Sequence, residues 1–221
     1  MELILFILII ILPLIADIFV RANYSINLKK ENSKGMTGAE IARKILDKNG
    51  LSNIYVVATN GYLTDHYDPK RKVIRLSKDV YEGSSVSSMA IASHECGHAI
   101  QDKDGYFFLR FRNSIIPLVN IASYLGYVAI LIGLFLSTFG LIWLGIIMEF
   151  VILFFQLITL PVEFNASSRA LENLINLNIV SDQEMVYSKK MLFAAALTYV
   201  ASVATAVLQI ARLLLMVRRN D

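Results

Sequence analysis

The residues best suited to chemistry lie in residues 93–101, "SHECGHAIQ", of this 221-residue chain. His94 and His98 are four residues apart, so on a helix their imidazoles share one face and both reach a single metal ion. Glu95 is offset around the helix, where it can reach a metal-bound water without ligating the metal. This H-E-x-x-H pattern predicts a catalytic zinc site with Glu95 as general base. The alternative is a pair of structural helix histidines beside a solvated glutamate.

A catalytic zinc ion needs a third protein ligand besides water, and no histidine follows His98. Glu149 falls within an apolar block, whereas Glu163 stands where that block ends, in "LPVEFNASSRALENL", with Pro161 expected to open a helix. A hairpin of two spans returns the chain to the side that it left, so we expect Glu163 on the same side as the motif helix. We therefore predict Glu163 as the third ligand; the alternative is an acid that marks the membrane interface. The acidic residues considered were Glu149, Glu163, Glu172, Asp182 and Glu184.

The rest of the chain must position these residues within a membrane. The sequence is 56% hydrophobic and 18% charged. Its apolar residues fall in blocks at 3–20, 114–136, 140–160 and 191–217, each long enough for about one membrane-spanning helix. The first block lacks the basic start and the small-residue cleavage site of a signal peptide, so we interpret it as an uncleaved anchor. A net charge of +3 is too small to indicate nucleic-acid binding.

The predicted fold class is a mainly α membrane protein, with about four transmembrane helices and a small zincin-like α+β catalytic domain. We divide the chain into an N-terminal anchor (1–20), a catalytic segment with the motif (21–113) and a transmembrane hairpin (114–160). A segment with the third ligand (161–190) and a C-terminal transmembrane helix (191–221) follow. Basic residues flank both polar segments, so the positive-inside rule places them in the cytoplasm, although Arg218 and Arg219 count against this orientation.

Within the catalytic segment, Thr37 and Glu40 have the spacing of a capping box that starts a helix. "NIYVVAT" and "KVIRLS" read as strands, with a turn predicted between them at residues 60–72. We predict "KVIRLS" as an open edge strand that holds an extended peptide; the alternative is a strand that only packs on the motif helix. Cys96, the only cysteine, points away from the ligand face and is predicted to be a buried thiol without a role in binding zinc.

The segments "LTDHYDP", "IRLS", "SHECGHAIQ", "EFNASSRA" and "AALTYVAS" together resemble the YugP-type bacterial membrane zinc metallopeptidases. The resemblance covers nearly the whole chain after the first helix, and it extends more distantly to the HtpX and CAAX-type membrane metalloproteases. It implies zinc ligation by His94, His98 and Glu163, catalysis by Glu95 and an active site facing the cytoplasm at the bacterial inner membrane. In HtpX-like enzymes an aspartate four residues after the glutamate supports a metal-bound histidine. Ser167 stands there instead. Its hydroxyl can accept a histidine N–H, but more weakly than a carboxylate, so the partner of the metal-bound histidine stays open.

These observations predict a membrane-embedded zinc endopeptidase that acts on peptides or membrane proteins, in their processing or quality control. Arg169 and His66 are candidates to stabilise the oxyanion; their alternatives are a salt bridge or lipid contact, and a hydrogen-bonded turn histidine. Expected partners are the substrate, the lipid bilayer and a membrane complex or a second copy. One alternative function is a zinc-retaining, non-hydrolytic adaptor or scaffold. An intramembrane site-2-type protease is disfavoured, because residues 84–101 are too polar for a span.

Glu149 has no predicted role in zinc binding or catalysis. An acid within a span is costly and usually marks a function or a partner. We expect Asn120, Gln156 or Gln209 to satisfy it within a helix bundle or an oligomer.

Overall fold

The computed structural model of the protein describes residues 2–220, with side chains described as far as Arg218. This part of the chain is mainly helical and carries one small sheet. In chain order, the elements are α1 (Glu2–Leu28), α2 (Gly38–Lys48), β1 (Tyr55–Thr59), β2 (His66–Asp68), β3 (Val73–Ser77), α3 (Lys78–Tyr81), α4 (Val86–Lys103), α5 (Phe107–Phe135), α6 (Phe139–Asn176) and α7 (Asp182–Asn220).

Four of these helices, α1, α5, α6 and α7, are long and apolar enough to cross a membrane. Their number confirms the expectation from the apolar blocks. Each helix extends beyond its block, because the helical hydrogen bonding continues where the side chains become polar. The expectation that Pro161 opens a helix is wrong: Pro161 lies inside α6, which runs without a break from Phe139 to Asn176.

Residues of the chain form two compact units, each with its own core. The first unit comprises Met1–Ile18, Arg110–Pro161 and Leu197–Asp221. Its core is a cluster of aliphatic side chains from α6 and α7, namely Ile142, Ile146, Ile210, Leu213 and Val217. Many apolar side chains of the candidate spans are exposed, as expected of surfaces that face lipid.

The second unit comprises Phe19–Leu109 and Val162–Ala196 and contains the sheet. The strand order is β1-β3-β2, with β3 parallel to β1 and antiparallel to β2. The expectation that "KVIRLS" is an edge strand is therefore wrong, because β3 is the central strand and is mostly buried. The short strand β2 lies in the segment predicted as a turn, and its pairing with β3 makes β1 and β2 the edges.

Capping interactions set where the helices α2 and α4 of the second unit begin. Thr37 and Glu40 form the predicted capping box at the start of α2, and the Ser85 hydroxyl accepts a hydrogen bond from the Ser88 N–H at the start of α4. Ile41 and Ile45 on α2 are fully buried in a core that includes residues of β3 and α4. The thiol of Cys96 is buried and free, and its nearest polar contact is the Ala42 carbonyl at 3.5 Å.

Candidate metal centre

Two helices of the second unit bring the predicted ligands together. His94 and His98 project one turn apart from α4, with ring centroids 4.7 Å apart. Glu163, on the polar part of α6, directs Oε2 to within 3.3 Å of His94 Nε2 and 3.6 Å of His98 Nε2. All three side chains are largely shielded from solvent. The three residues thus form a compact group of potential metal ligands.

The two distances from Glu163 Oε2 to the imidazole nitrogens fit a zinc ion. With bonds of about 2.0–2.2 Å in a tetrahedron, two ligand atoms on one zinc ion lie about 3.3–3.5 Å apart. The separations from Glu163 Oε2 to the two imidazole nitrogens, 3.3 and 3.6 Å, match this value. The donor set of two imidazoles and one carboxylate is also one that zinc accepts, and it leaves a fourth position for water.

The other ring nitrogen of His98 is held by Gln101, one turn further along α4. His98 Nδ1 lies 3.0 Å from Gln101 Oε1. The Gln101 amide nitrogen donates to the Val162 carbonyl at 2.8 Å and to Asn165 Oδ1 at 3.0 Å, which fixes the amide orientation. Because the Gln101 oxygen only accepts, His98 Nδ1 must carry the proton, and Nε2 keeps its lone pair for a metal.

His94 has a different partner for its outer nitrogen. The hydroxyl of Ser167, on α6, lies 3.2 Å from His94 Nδ1. A hydroxyl both donates and accepts, so it fixes the His94 tautomer less strictly than Gln101 fixes that of His98.

A close approach of backbone between α4 and α6 sets the position of Glu163. Gly97 lies between the two histidines, and a Cβ added there would be 2.3 Å from the Ala166 carbonyl oxygen. Only glycine therefore allows α4 to lie this close to the turn of α6 that carries Glu163. The hydrogen bonds from Gln101 to Val162 and Asn165 hold the same two helices in register.

Glu95 is buried beside this group of potential ligands. The backbone N–H of Tyr67, in strand β2, lies near the Glu95 carboxylate and favours its charged form. Burial is the main cause that raises the pKa of Glu95 to about 7; His94 opposes the rise, while the negative charges of Asp65 and Glu163 add to it. A carboxyl group with a pKa near neutrality can both accept and return a proton at physiological pH.

The two side chains considered for the oxyanion make other contacts. Arg169 forms an ion pair with Asp104 at 2.5 Å and donates from Nε to Asn165 Oδ1 at 2.8 Å. These contacts favour the alternative of a salt bridge. His66 lies in β2, is exposed, and has Nδ1 2.8 Å from the Thr64 carbonyl oxygen, which favours a hydrogen-bonded structural histidine.

Two contributors to the site were not predicted. Gln101 carries a sequence signal, since a carboxamide three residues after His98 lies on the same helix face. The contribution of Tyr67 comes from its backbone N–H on a short edge strand, and the residue type gives no signal for it. The Tyr67 phenol instead donates to Asp102 at 2.8 Å.

Comparisons with known proteins identify the family of the chain. A family model described as "Putative neutral zinc metallopeptidase" matches residues 2–218. The "Putative membrane protease YugP" of Bacillus subtilis (strain 168) is 47% identical over 197 residues, which is 89% of this chain and 88% of the relative. No solved structure matches the chain significantly.

Proposed function

We propose that the chain, which belongs to the family described as "Putative neutral zinc metallopeptidase", is a membrane-embedded, zinc-dependent endopeptidase. The observation that carries this proposal is the convergence of three ligand atoms beside a buried glutamate, all within one unit of the chain. A structural pair of helix histidines would not need a carboxylate from another helix directed at both Nε2 atoms.

In this proposal His94, His98 and Glu163 hold the zinc ion. When bound, zinc lowers the pKa of its water towards 7 and polarises a substrate carbonyl. The hydrogen bond to Gln101 keeps His98 in the tautomer that presents a lone pair at Nε2. The Ser167 hydroxyl steadies the ring of His94. These contacts hold both imidazoles in place, so that no reorganisation is needed when substrate binds.

Glu95 serves as the acid and base of the reaction. Its carboxylate accepts a proton from the attacking water and later donates that proton to the leaving amine. The nearby Tyr67 N–H favours the charged form of this carboxylate, which is the form that accepts the proton. Since Tyr67 belongs to the edge strand β2, an extended peptide has a strand edge to pair with close to Glu95.

The family supports a peptide substrate, and the four apolar helices support a location in a lipid bilayer. The proposed location is the bacterial cell (inner) membrane, and the distribution of lysine and arginine supports an orientation with the site facing the cytoplasm. The proposed role is in membrane protein processing or quality control, in a complex or as a homo-oligomer. The alternative, a non-hydrolytic zinc scaffold, is disfavoured: the group found in the described part of the chain has three ligand residues, whereas structural zinc favours four.

The test is the substitution Glu95→Gln, assayed on an unstructured peptide with the protein in lipid nanodiscs. We expect unchanged zinc content and a fall in kcat/KM of about 10²–10⁴-fold, the usual contribution of a general base. Glu172→Gln, an exposed change on α6, is the matched control and should cleave like the parent. Turnover by Glu95→Gln at the parent rate would remove Glu95 from the mechanism.

A further inference from the structure

A polar cavity lies among the candidate membrane-spanning helices. It has a volume of about 440 Å³ and lies between α1, α6 and α7, within the first unit. The α1 side of the cavity is apolar. The polar residues that line it are Glu149 and Gln156 on α6 and Ser202, Thr205, Gln209 and Arg212 on α7. Gln156 and Gln209, two of the residues expected near Glu149, are thus present, whereas Asn120 is not among the lining residues.

Most of these polar groups lack partners in the described part of the chain. Gln156 Oε1, Thr205 Oγ1 and Arg212 Nε are buried without a hydrogen bond. Glu149 and Gln209 form no hydrogen bond or ion pair with any described residue, although a carboxylate and a guanidinium line the same cavity. Such groups are costly in a hydrocarbon environment unless a partner satisfies their hydrogen bonds. The protein therefore presents a set of hydrogen-bonding groups that a guest would complete.

The hydrogen-bonding groups that line the cavity limit which chemical groups it can bind. Arg212 and Thr205 offer donors, Gln156 Oε1 offers an acceptor, and Glu149 offers oxygens that accept or, when protonated, donate. A carboxamide matches such a mixed set, since it has one accepting oxygen and two N–H donors. It is also uncharged, so it enters a bilayer far more easily than a carboxylate or an ammonium group. A volume of about 440 Å³ is within the range of pockets that hold small organic groups.

We propose that this cavity binds an asparagine or glutamine side chain carried by the transmembrane helix of another protein. The guest helix reaches the cavity through lipid, and its apolar stem packs against Phe6, Ile9 and Pro13 of α1. Resting on the proposed peptidase function, we assign this helix to the substrate. The cavity then selects membrane proteins whose spans contain a carboxamide, independently of the residues at the scissile bond.

The binding test uses the full chain with Glu95→Gln, in nanodiscs, so that cleavage does not interfere. The probes are two fluorescent poly-leucine spans of about 20 residues, one with a central asparagine and one with leucine throughout. Energy transfer to the labelled protein gives each affinity. We expect the asparagine span to bind about tenfold more tightly, the effect of one or two hydrogen bonds between helices.

Two variants test whether residues of the cavity cause the preference for the asparagine span. Gln156→Leu and Thr205→Val should each reduce the tenfold preference to about twofold or less. Asn120→Leu makes the same chemical change as Gln156→Leu in an exposed position of α5 and should keep the full preference. Equal affinity of the parent for both spans, or a preference that survives the two cavity variants together, would overturn the proposal.

A separate measurement distinguishes this inference from the peptidase function. The protein with Glu95 intact is given the asparagine span, extended on its cytoplasmic side by the unstructured peptide sequence, and, in parallel, the unstructured peptide alone. Cleavage of both supports the substrate assignment. Cleavage of the unstructured peptide alone overturns that assignment while leaving the binding site in place. Cleavage of neither refutes the peptidase function, and the asparagine preference would then identify a partner of a non-hydrolytic protein.

Discussion

Replacing Gly97 by alanine should separate the two helices that form the metal centre. The added Cβ would lie 2.3 Å from the Ala166 carbonyl oxygen and 3.1 Å from the Ala166 Cα. Ordinary contacts begin at 3.4 Å, so α6 must move by about 1 Å. The obstacle is backbone, which cannot rotate away as a side chain can. Glu163 lies three residues before Ala166 on the same helix, so its carboxylate moves with that turn.

A displacement of this size exceeds what zinc tolerates, because its bonds to ligands vary by only about 0.2 Å. Loss of contacts around the ligands typically lowers metal affinity 10–100-fold, and displacement of a ligand itself should reach about 100-fold or more. Overpacking should also reduce the free energy of unfolding by about 1–3 kcal/mol.

Competition with a chromophoric chelator measures the zinc affinity of Gly97→Ala, and thermal melting measures its stability. Gly140→Ala is the matched control, since a Cβ at Gly140 meets nothing within 4 Å and both properties should be unchanged. If Gly97→Ala binds zinc as tightly as the parent and melts at the same temperature, then the contact between α4 and α6 does not position Glu163.

Three further changes test individual contacts. Gln101→Ala should lower zinc affinity about 10–100-fold, because His98 loses the acceptor for its Nδ1 proton; chelator competition within twofold of the parent would contradict this role. Thr37→Ala removes the capping box of α2 and should lower the free energy of unfolding by about 1 kcal/mol, measured by chemical denaturation; an unchanged midpoint would refute it. Arg169→Met breaks a partly exposed ion pair with Asp104 and should lower kcat less than tenfold. A loss of 100-fold or more would instead restore Arg169 as a stabiliser of the oxyanion.

Sequence patterns predicted those features that depend on local spacing. The apolar blocks are long enough to give four spans regardless of how these pack, and α2 begins at Thr37 because its cap needs only Glu40. The motif on α4 is likewise local, since four-residue spacing alone puts His94 and His98 on one face. The choice of Glu163 needed one step more, namely that a hairpin of spans returns the chain to its starting side.

Features that depend on contacts between distant segments were not predictable in this way. Strand β2 has three residues and forms only because β3 pairs with it, so its own sequence, "HYD", looks like part of a turn. Pro161 resembles a helix start because apolar residues end there, yet the hydrogen bonds of α6 continue past it. The role of Gly97 depends on the backbone of Ala166, which lies 69 residues later in the chain.

Zinc K-edge X-ray absorption of the purified protein tests the central claim most directly. The proposed centre predicts one zinc ion per chain, a first shell of nitrogen and oxygen at about 2.0–2.2 Å, and multiple scattering from two imidazole rings. Glu163→Ala should lose the ion or change its first shell while His94 and His98 remain. A sulfur ligand at about 2.3 Å, fewer than two imidazoles, or a first shell unchanged in Glu163→Ala would contradict the proposed zinc site.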